Sequence, residues 1–418
     1  MNRTLRTAIA AVSLTLLATA CSTKGNDSST ASGDGKSNVK SGVGVTADTI
    51  KLGVLTDLSG PIGPLGKAGL AGNDLYWEEQ NAKGGVCGRK VETIAKDNQY
   101  NVQKSVVHYA ALRNQVVGIA NFAGGPDVLA VQQQIKADNM VVLPSSYDGT
   151  LLKIPTAPLV GSPYDIETIN GISYLMEQKK LAKGDAIGVI HYPGGIGTNT
   201  LAGVKAAADE FKLKLTAAEV DPTSTDLTAQ VAAMKKAGAK VIVMGTAGGQ
   251  TVAVSSLVHS SGYRATVLAT NLISAASVKG PAQKALTENL VLTSNSSPFS
   301  ADNAMVKKVR EAYAKKHPGT DITAPVGAGY VFALTYHTIL EQACENKDLT
   351  RDGVAKALTQ VTNVDSGGMQ VALNFSEPGK PASRESFILK PDPKSVDGVA
   401  LVQEPKASPL ALKYQPAS

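Results

Sequence analysis

The chain has 418 residues, 43% of them hydrophobic and 18% charged, with a formal net charge of +6 and three cysteines. That length accommodates two domains of ordinary size. Lys and Arg are scattered along the chain, which argues against nucleic acid as a partner, because that needs a concentrated basic face.

Arg3 and Arg6 precede an apolar run over residues 8–17, and Ala18-Thr19-Ala20 follows it. These are the three parts of a secretion signal. The run is too short to cross a bilayer, which takes roughly 20 residues, and no later run is long enough, so the body is expected to be soluble. The small-residue triplet directly before Cys21 resembles the lipobox of bacterial lipoproteins. That resemblance implies cleavage after Ala20, acylation of Cys21 and a lipid anchor at the extracytoplasmic face of the cell membrane. Ala18 stands where such sites carry Leu, Val or Ile, so an ordinary signal peptide with Cys21 as a plain thiol is the alternative. Residues 22–44 are rich in Ser, Gly, Thr, Asn, Asp and Lys and cannot bury a core. They read as a flexible tether with an end-to-end distance of roughly 25 Å, giving a signal at 1–20 and a tether at 21–46. With Cys21 assigned to lipid, Cys87 and Cys344 are left. In an oxidising compartment a disulfide between them is expected, the alternative being two separate buried thiols.

Strand-length apolar runs then alternate with amphipathic helical patterns. Residues 50–58 read as a strand, 67–81 as a helix and 91–96 as a strand; Val102, Val106, Tyr109 and Leu112 share one helical face. A strand at 118–123, a helix at 128–137 and a strand at 140–143 complete a βαβα series. That series predicts a parallel sheet with helices on both faces. The rhythm restarts after Gly161-Ser162-Pro163, with a helix at 167–178, a strand at 186–191 and a helical face at Leu201, Val204, Ala208 and Phe211. A helix at 226–237, capped by Ser224 and Thr225, a strand at 241–245, a helix at 251–260 and strands at 266–269 and 290–293 follow. Beyond Asn295 come helices at 304–316, 329–346 and 351–358 and strands at 369–375 and 386–389. These pieces are too few for a third domain, so they are expected to add to the first two. Residues from about 406 read as a partly ordered tail.

Enzyme signatures are missing: the sequence has no phosphate-binding loop of the G-x-x-x-x-G-K-[ST] type, no H-E-x-x-H and no G-x-S-x-G. His108, His191, His259, His317 and His337 are dispersed, without metal-ligand spacing. Pro193-Gly194-Gly195-Ile196-Gly197-Thr198 could hold an anion on backbone N–H groups. It lacks the dinucleotide pattern and reads better as a tight turn lining a cleft. No catalytic residues, metal or cofactor are expected.

Residues 50–98 carry Ser59-Gly60-Pro61 after the first strand, Gly66 opening the helix, and Asn81-Ala82-Lys83-Gly84-Gly85 closing it. Gly88 precedes the second strand and Asp97 follows it. Leu143-Pro144-Ser145-Ser146 and Thr225-Asp226-Leu227-Thr228 continue the pattern. In this order and spacing the chain resembles the branched-chain amino-acid-binding proteins of ABC transporters, from about residue 49 to 389. The resemblance implies the type I periplasmic binding fold: α/β, with two doubly wound lobes joined by three crossover strands. Lobe 1 would comprise 47–160 plus 295–362, lobe 2 would comprise 161–294 plus 363–405, and 406–418 would be the tail. Solute would bind between the lobes, which agrees with the rule that ligands bind outside strand carboxyl ends.

Carried over residue by residue, the first-lobe contacts fall at Leu65, Gly124, Gly125, Ser145, Ser146 and Tyr147, where hydroxyls and backbone N–H groups suit a carboxylate; turn chemistry is the alternative for the two serines. In the second lobe the family's two cleft aromatics align with Ile196 and Ala247, and the carboxylate that pairs with a solute ammonium aligns with Asn271. Those departures leave an ammonium uncompensated, unless Asp127, Asp148 or Tyr192 substitutes, and favour a hydrophobic carboxylate or an amide over an α-amino acid. The expected function is a monomeric solute-binding lipoprotein that closes around a small molecule and presents it to an ABC permease. A receptor module of the same fold, signalling to a membrane partner, is the alternative; an extracellular enzyme lacks its motifs.

Overall fold

The structure is a computed structural model that describes residues 38–416. The signal at 1–20, Cys21 and the tether up to residue 37 lie outside the described residues. A two-residue strand, β1 (Lys40–Ser41), leads into β2 (Thr49–Thr56), α1 (Gly63–Ala82), β3 (Lys90–Asp97), α2 (Val102–Leu112) and β4 (Gly118–Phe122). The short helices α3 (Gly125–Ala130) and α4 (Gln132–Asp138) and strand β5 (Val142–Pro144) follow. Strands β2 to β5 form a parallel sheet in the order β3-β2-β4-β5. Every residue of β4 and β5 is buried, as befits strands covered on both faces.

The chain then builds α5 (Tyr164–Glu177), β6 (Ala186–His191), α6 (Gly195–Phe211), β7 (Lys214–Glu219), α7 (Thr228–Lys236), β8 (Ala239–Gly245) and α8 (Gly248–Ser260). Next come β9 (Thr266–Thr270), α9 (Ala275–Lys279), α10 (Gln283–Asn289) and β10 (Leu290–Ser294). It returns to the first sheet as α11 (Ala304–Lys316), α12 (Ala324–Glu345), β11 (Asp348–Leu349) and α13 (Arg351–Leu358), and ends on β12 (Ser386–Pro391), β13 (Val399–Lys406) and α14 (Pro409–Lys413). The second sheet has the order β13-β12-β10-β9-β8-β6-β7, with β12 and β13 antiparallel to their neighbours. The chain therefore passes between the lobes near residue 162, near 295 and over 364–385. Among the described residues no helix is long and apolar enough to cross a membrane.

Several elements differ from expectation. Strands β7 and β13 were not anticipated; β7 has no fully buried residue, and β13, after buried Val399, is half-buried or exposed throughout. Residues 369–375 are not a strand but meet the second crossing in an isolated bridge, Ser296 to Gln370. The helix expected at 128–137 is two helices broken at Val131. The N-cap of α7 is Leu227, without a side-chain capping bond; Asp226, rather than Ser224 or Thr225, accepts from Thr228 N–H in the turn before it. On α2 the inward face is Ser105, Tyr109 and Leu112, and Val106 is exposed. Two stretches read as flexible are built in: β1 pairs with β11, and α14 docks on α5. There Arg384 donates to the carbonyls of Ala411 and Tyr414, each at 2.7 Å, and Ala411 packs on Ile166 and Ile169.

Lobe 1 is organised around the pair α1 and α12. A Cβ added to Gly72 would lie 1.9 Å from the carbonyl oxygen of Val326, and one added to Gly329 would lie 1.8 Å from that of Gly69. The helices meet backbone to backbone there, which no other residue type permits. Alongside, Tyr76 and His337 share a buried hydrogen bond of 2.6 Å. Cys87, in the loop after α1, and Cys344, near the end of α12, form a disulfide with Cα atoms 6.1 Å apart. Gly329→Val is expected to cost about 1–3 kcal/mol through overpacking, seen as a lower urea midpoint at unchanged slope.

Candidate cleft between the lobes

The loops at the carboxyl ends of β2 to β5 are shaped by carboxylates that bind backbone. Asp57 accepts from the N–H groups of Ser59 (3.1 Å), Gly60 (2.5 Å) and Ile62 (2.7 Å), folding the turn into α1. Asp97 accepts from the Ser59 hydroxyl (2.6 Å) and from Leu58 and Gln99 N–H, tying the β2 loop to the β3 loop. The Ser59 hydroxyl is the main reason its carboxyl is held down to about 2. Asp127 is buried and accepts from Ser105 Oγ at 2.7 Å, while Asn98 donates to that same hydroxyl and to the Ala123 carbonyl. This network explains why Ser105, not Val106, faces inward. Gly124 sits at φ +95°, and a Cβ there would meet Asp127 Oδ2 at 2.2 Å, so the turn into α3 requires glycine.

The nine expected contact residues lie at the carboxyl ends of strands or in the first turns of the helices that follow, six on lobe 1 and three on lobe 2. Leu65 is 50% exposed in the first turn of α1. Gly125 opens α3 close to Ser146 and Asp148: a Cβ on it would be 3.1 Å from Ser146 Oγ. Ser145 extends β5 by donating its N–H to the Phe122 carbonyl, and its side chain is exposed. Tyr147 stacks edge-on against Tyr164, with centroids 5.8 Å apart. Across the gap, half-buried Ile196 lies in the first turn of α6, exposed Ala247 caps α8, and half-buried Asn271 follows β9, its N–H donating to the Thr293 carbonyl. They form two groups, one on each lobe.

Other polar residues lie beside these groups. Asn199, buried on α6, reaches lobe 1: its side chain accepts from Gly149 N–H at 2.7 Å and donates to Asp148 Oδ1 at 2.9 Å. Asp148 also accepts from Thr150. Asp127 and Asp148, the substitutes for a missing countercharge, are thus both engaged by protein groups. Tyr100 is 46% exposed with a left-handed backbone, as is Gln99 before it, a strained conformation that clusters at functional sites. Glu167, in the first turn of α5, is fully buried. Its Oε2 accepts from Thr270 Oγ1 at 3.1 Å, and its Oε1 has no partner among the described residues. Burial pushes its carboxyl up to about 8. Burial also raises the phenols of Tyr147 and Tyr164, with Glu167 beside them adding to the effect. Sequence reasoning missed Glu167 because an acid in a helix's first turn reads as compensation of the helix dipole. Tyr100 left a faint signal, a large residue inside a polar turn.

Two lobes, three crossings and a cleft at the strand ends recur in known proteins. A family model described as periplasmic binding protein matches residues 49–395. The chain belongs to the periplasmic binding protein family. Among solved structures of this family type, the chain is similar to a fatty acid ABC transporter substrate-binding protein from Thermomonospora curvata. The identity is 38% with a TM-score of 0.86, covering 91% of this chain and 97% of the other. A branched chain amino acid ABC transporter from Thermus thermophilus with bound valine shares the fold at 18% identity and TM-score 0.75, covering 88% and 98%. The Leu/Ile/Val-binding protein homolog 7 of Brucella abortus is 26% identical over 241 residues, 54% of this chain. The match spans 59% of the length of that curated relative.

Asn199→Ala removes two bonds between the lobes, worth about 1 kcal/mol each; small-angle scattering is expected to show a larger radius of gyration. Glu167 gives a second expectation. Its folded carboxyl titrates near 8 against an ordinary 4.5, so the native state holds the proton that the unfolded chain releases, and stability falls as pH rises through that window. Glu167→Gln is expected to flatten that fall in a series of Tm measurements.

Proposed function

We propose that the chain is the extracytoplasmic solute-binding component of an ABC importer, and that its solute is a hydrophobic carboxylate of the fatty-acid kind. It acts by reversible capture, without covalent chemistry. The observation that carries this reading is the makeup of the second-lobe rim. Ile196, Ala247 and Asn271 bring no charge, Asp127 and Asp148 are bound to their own protein, and burial holds Glu167 in its neutral form, so an α-amino acid's ammonium would enter uncompensated. The rim instead offers apolar surface on both lobes. Leu65 and Tyr100 are exposed on one side and Leu272 on the other, and large exposed hydrophobic residues gathered at a cleft suit an apolar ligand.

In this reading Ser145, Ser146 and the N–H groups near Gly124 and Gly125 hold the head group, Tyr147 flanks it, and Ile196, Ala247 and Asn271 close from the other lobe. The lobes run over 47–160 with 295–362 and 161–294 with 363–405, moving about the crossings. Acylation at Cys21 keeps the monomeric receptor beside its permease. The likeness to the Thermomonospora curvata protein, whose name specifies a fatty acid, supports the solute class; the more distant likeness to a Leu/Ile/Val-binding homologue supports a branched-chain amino acid as the second reading. Isothermal titration separates them: dodecanoate is expected to bind with a Kd of about 1 μM, a typical −8 kcal/mol, and leucine no tighter than about 1 mM. The opposite order overturns the carboxylate reading.

A further inference from the structure

Most polar groups at the strand ends have partners inside the protein; Glu167 is the informative exception. It projects from α5, the first helix after the crossing at Ser162, and meets the end of β9 one residue before Asn271. The family pattern aligns its own solute-pairing carboxylate with Asn271, so in this chain an acidic group approaches the same place from a different element. Its surroundings differ from those of an ammonium partner. The titratable groups facing it are the phenols of Tyr147 and Tyr164, and Thr270 supplies the one hydrogen bond. Among the described residues no Lys, Arg or second carboxylate shifts it.

We propose that Glu167 is a specificity-determining residue of the cleft, whose unpaired carboxyl oxygen donates a hydrogen bond to an acceptor oxygen of the solute's head group. The hydrogen-bond directions carry the argument. Thr270 Oγ1 donates to Oε2, so Oε2 serves as the acceptor oxygen of the acid. Oε1 is buried and unbonded. An ionised carboxylate left there without donors or a cation would bear the full cost of burial. A protonated Oε1 is a donor lacking an acceptor, and the burial that raises this carboxyl keeps the proton on at neutral pH. A solute carboxylate supplies the acceptor, and a hydrogen bond from a neutral acid to an ionised group is of the strong, charge-assisted kind. An ammonium offers only donors, so it leaves the Oε1–H proton without an acceptor. Glu167 therefore selects for acceptor-bearing solutes while contributing no charge.

The inference deepens the hydrophobic-carboxylate reading and rests on it. The test measures dodecanoate and leucine binding to the full chain, to Glu167→Gln and to Glu167→Leu at about pH 6.5 and about pH 9, on either side of the titration of a raised carboxyl. Both probes keep an ionised carboxylate at both values. Glu167→Leu is expected to weaken dodecanoate at least about tenfold, the worth of a hydrogen bond to a charged group. Glu167→Gln, which keeps an N–H donor, should stay within about threefold at the lower pH. The native chain should lose about tenfold on going to the higher pH as Glu167 ionises and repels the probe, and the Gln variant should lose none. A merely structural role would not transfer the pH dependence to one carboxyl.

If dodecanoate binds and Glu167→Leu matches the native chain with the same pH profile, the inference falls while the solute reading stands. If leucine binds and dodecanoate does not, the solute reading falls, and the same variants still decide. Retention of leucine by Glu167→Gln supports the donor role, and loss of more than about tenfold shows an ionised partner for the ammonium and overturns it. If neither probe binds the native chain, both readings fall.

Discussion

Everything the cleft can do depends on the three crossings behaving as one strap. Two amides make them so. Asn295 in the second crossing accepts from Ser162 N–H at 2.7 Å and donates to the Ser162 carbonyl at 3.1 Å, pairing with the first crossing as a strand neighbour would. Gln370 in the third donates to the Val160 carbonyl at 2.5 Å and accepts from Ser296 Oγ at 2.6 Å, joining all three. Ser162 Oγ adds a bond to the Glu385 carbonyl, and backbone bonds link Ser297 to Met369 and Val371 to Asn295. Any rotation of one lobe against the other would therefore be shared among the three crossings.

A second constraint governs the chemistry of the cleft. Sequence inspection finds many acids near the strand ends, and it is natural to treat each as a candidate partner for solute. Asp57, Asp97, Asp127 and Asp148 are instead spent on the loops themselves, each accepting from backbone or hydroxyl donors. Such bonds fix loop shape and leave these carboxylates engaged by protein donors. Glu167 differs from them in that its Oε1 is buried without a partner among the described residues.

The central strands were readable because burial on both faces forces unbroken apolar runs, as in Val241 to Gly245. Strand β7 was not, because an edge strand of Lys214, Leu215, Thr216, Ala217, Ala218 and Glu219 meets no such demand; β13 escaped for the same reason. Residues 369–375 carry a strand-like run that the structure uses to cover the crossings. On α2 the periodicity of Val102 and Val106 misled because a hydrogen-bond network, invisible to hydropathy, turned Ser105 inward. In the site, glycines and serines at strand ends were legible from local pattern. Glu167 was not, because its meaning arises from Thr270, 103 residues away, and Asn199 matters only through its reach into the other lobe.

The chain enters its fold through β1, whose Lys40 and Ser41 pair with Asp348 and Leu349 on lobe 1, and Lys40 N–H also bonds the Lys347 carbonyl. The described chain therefore begins fastened to lobe 1. Lobe 1 is stiffened by the close contact of α1 with α12 and by the Cys87 to Cys344 link, so the chain enters the fold on its most tightly braced half. Lobe 2 is reached from there through the strap at Asn295 and Gln370 and through the Asn199 bonds to Gly149 and Asp148.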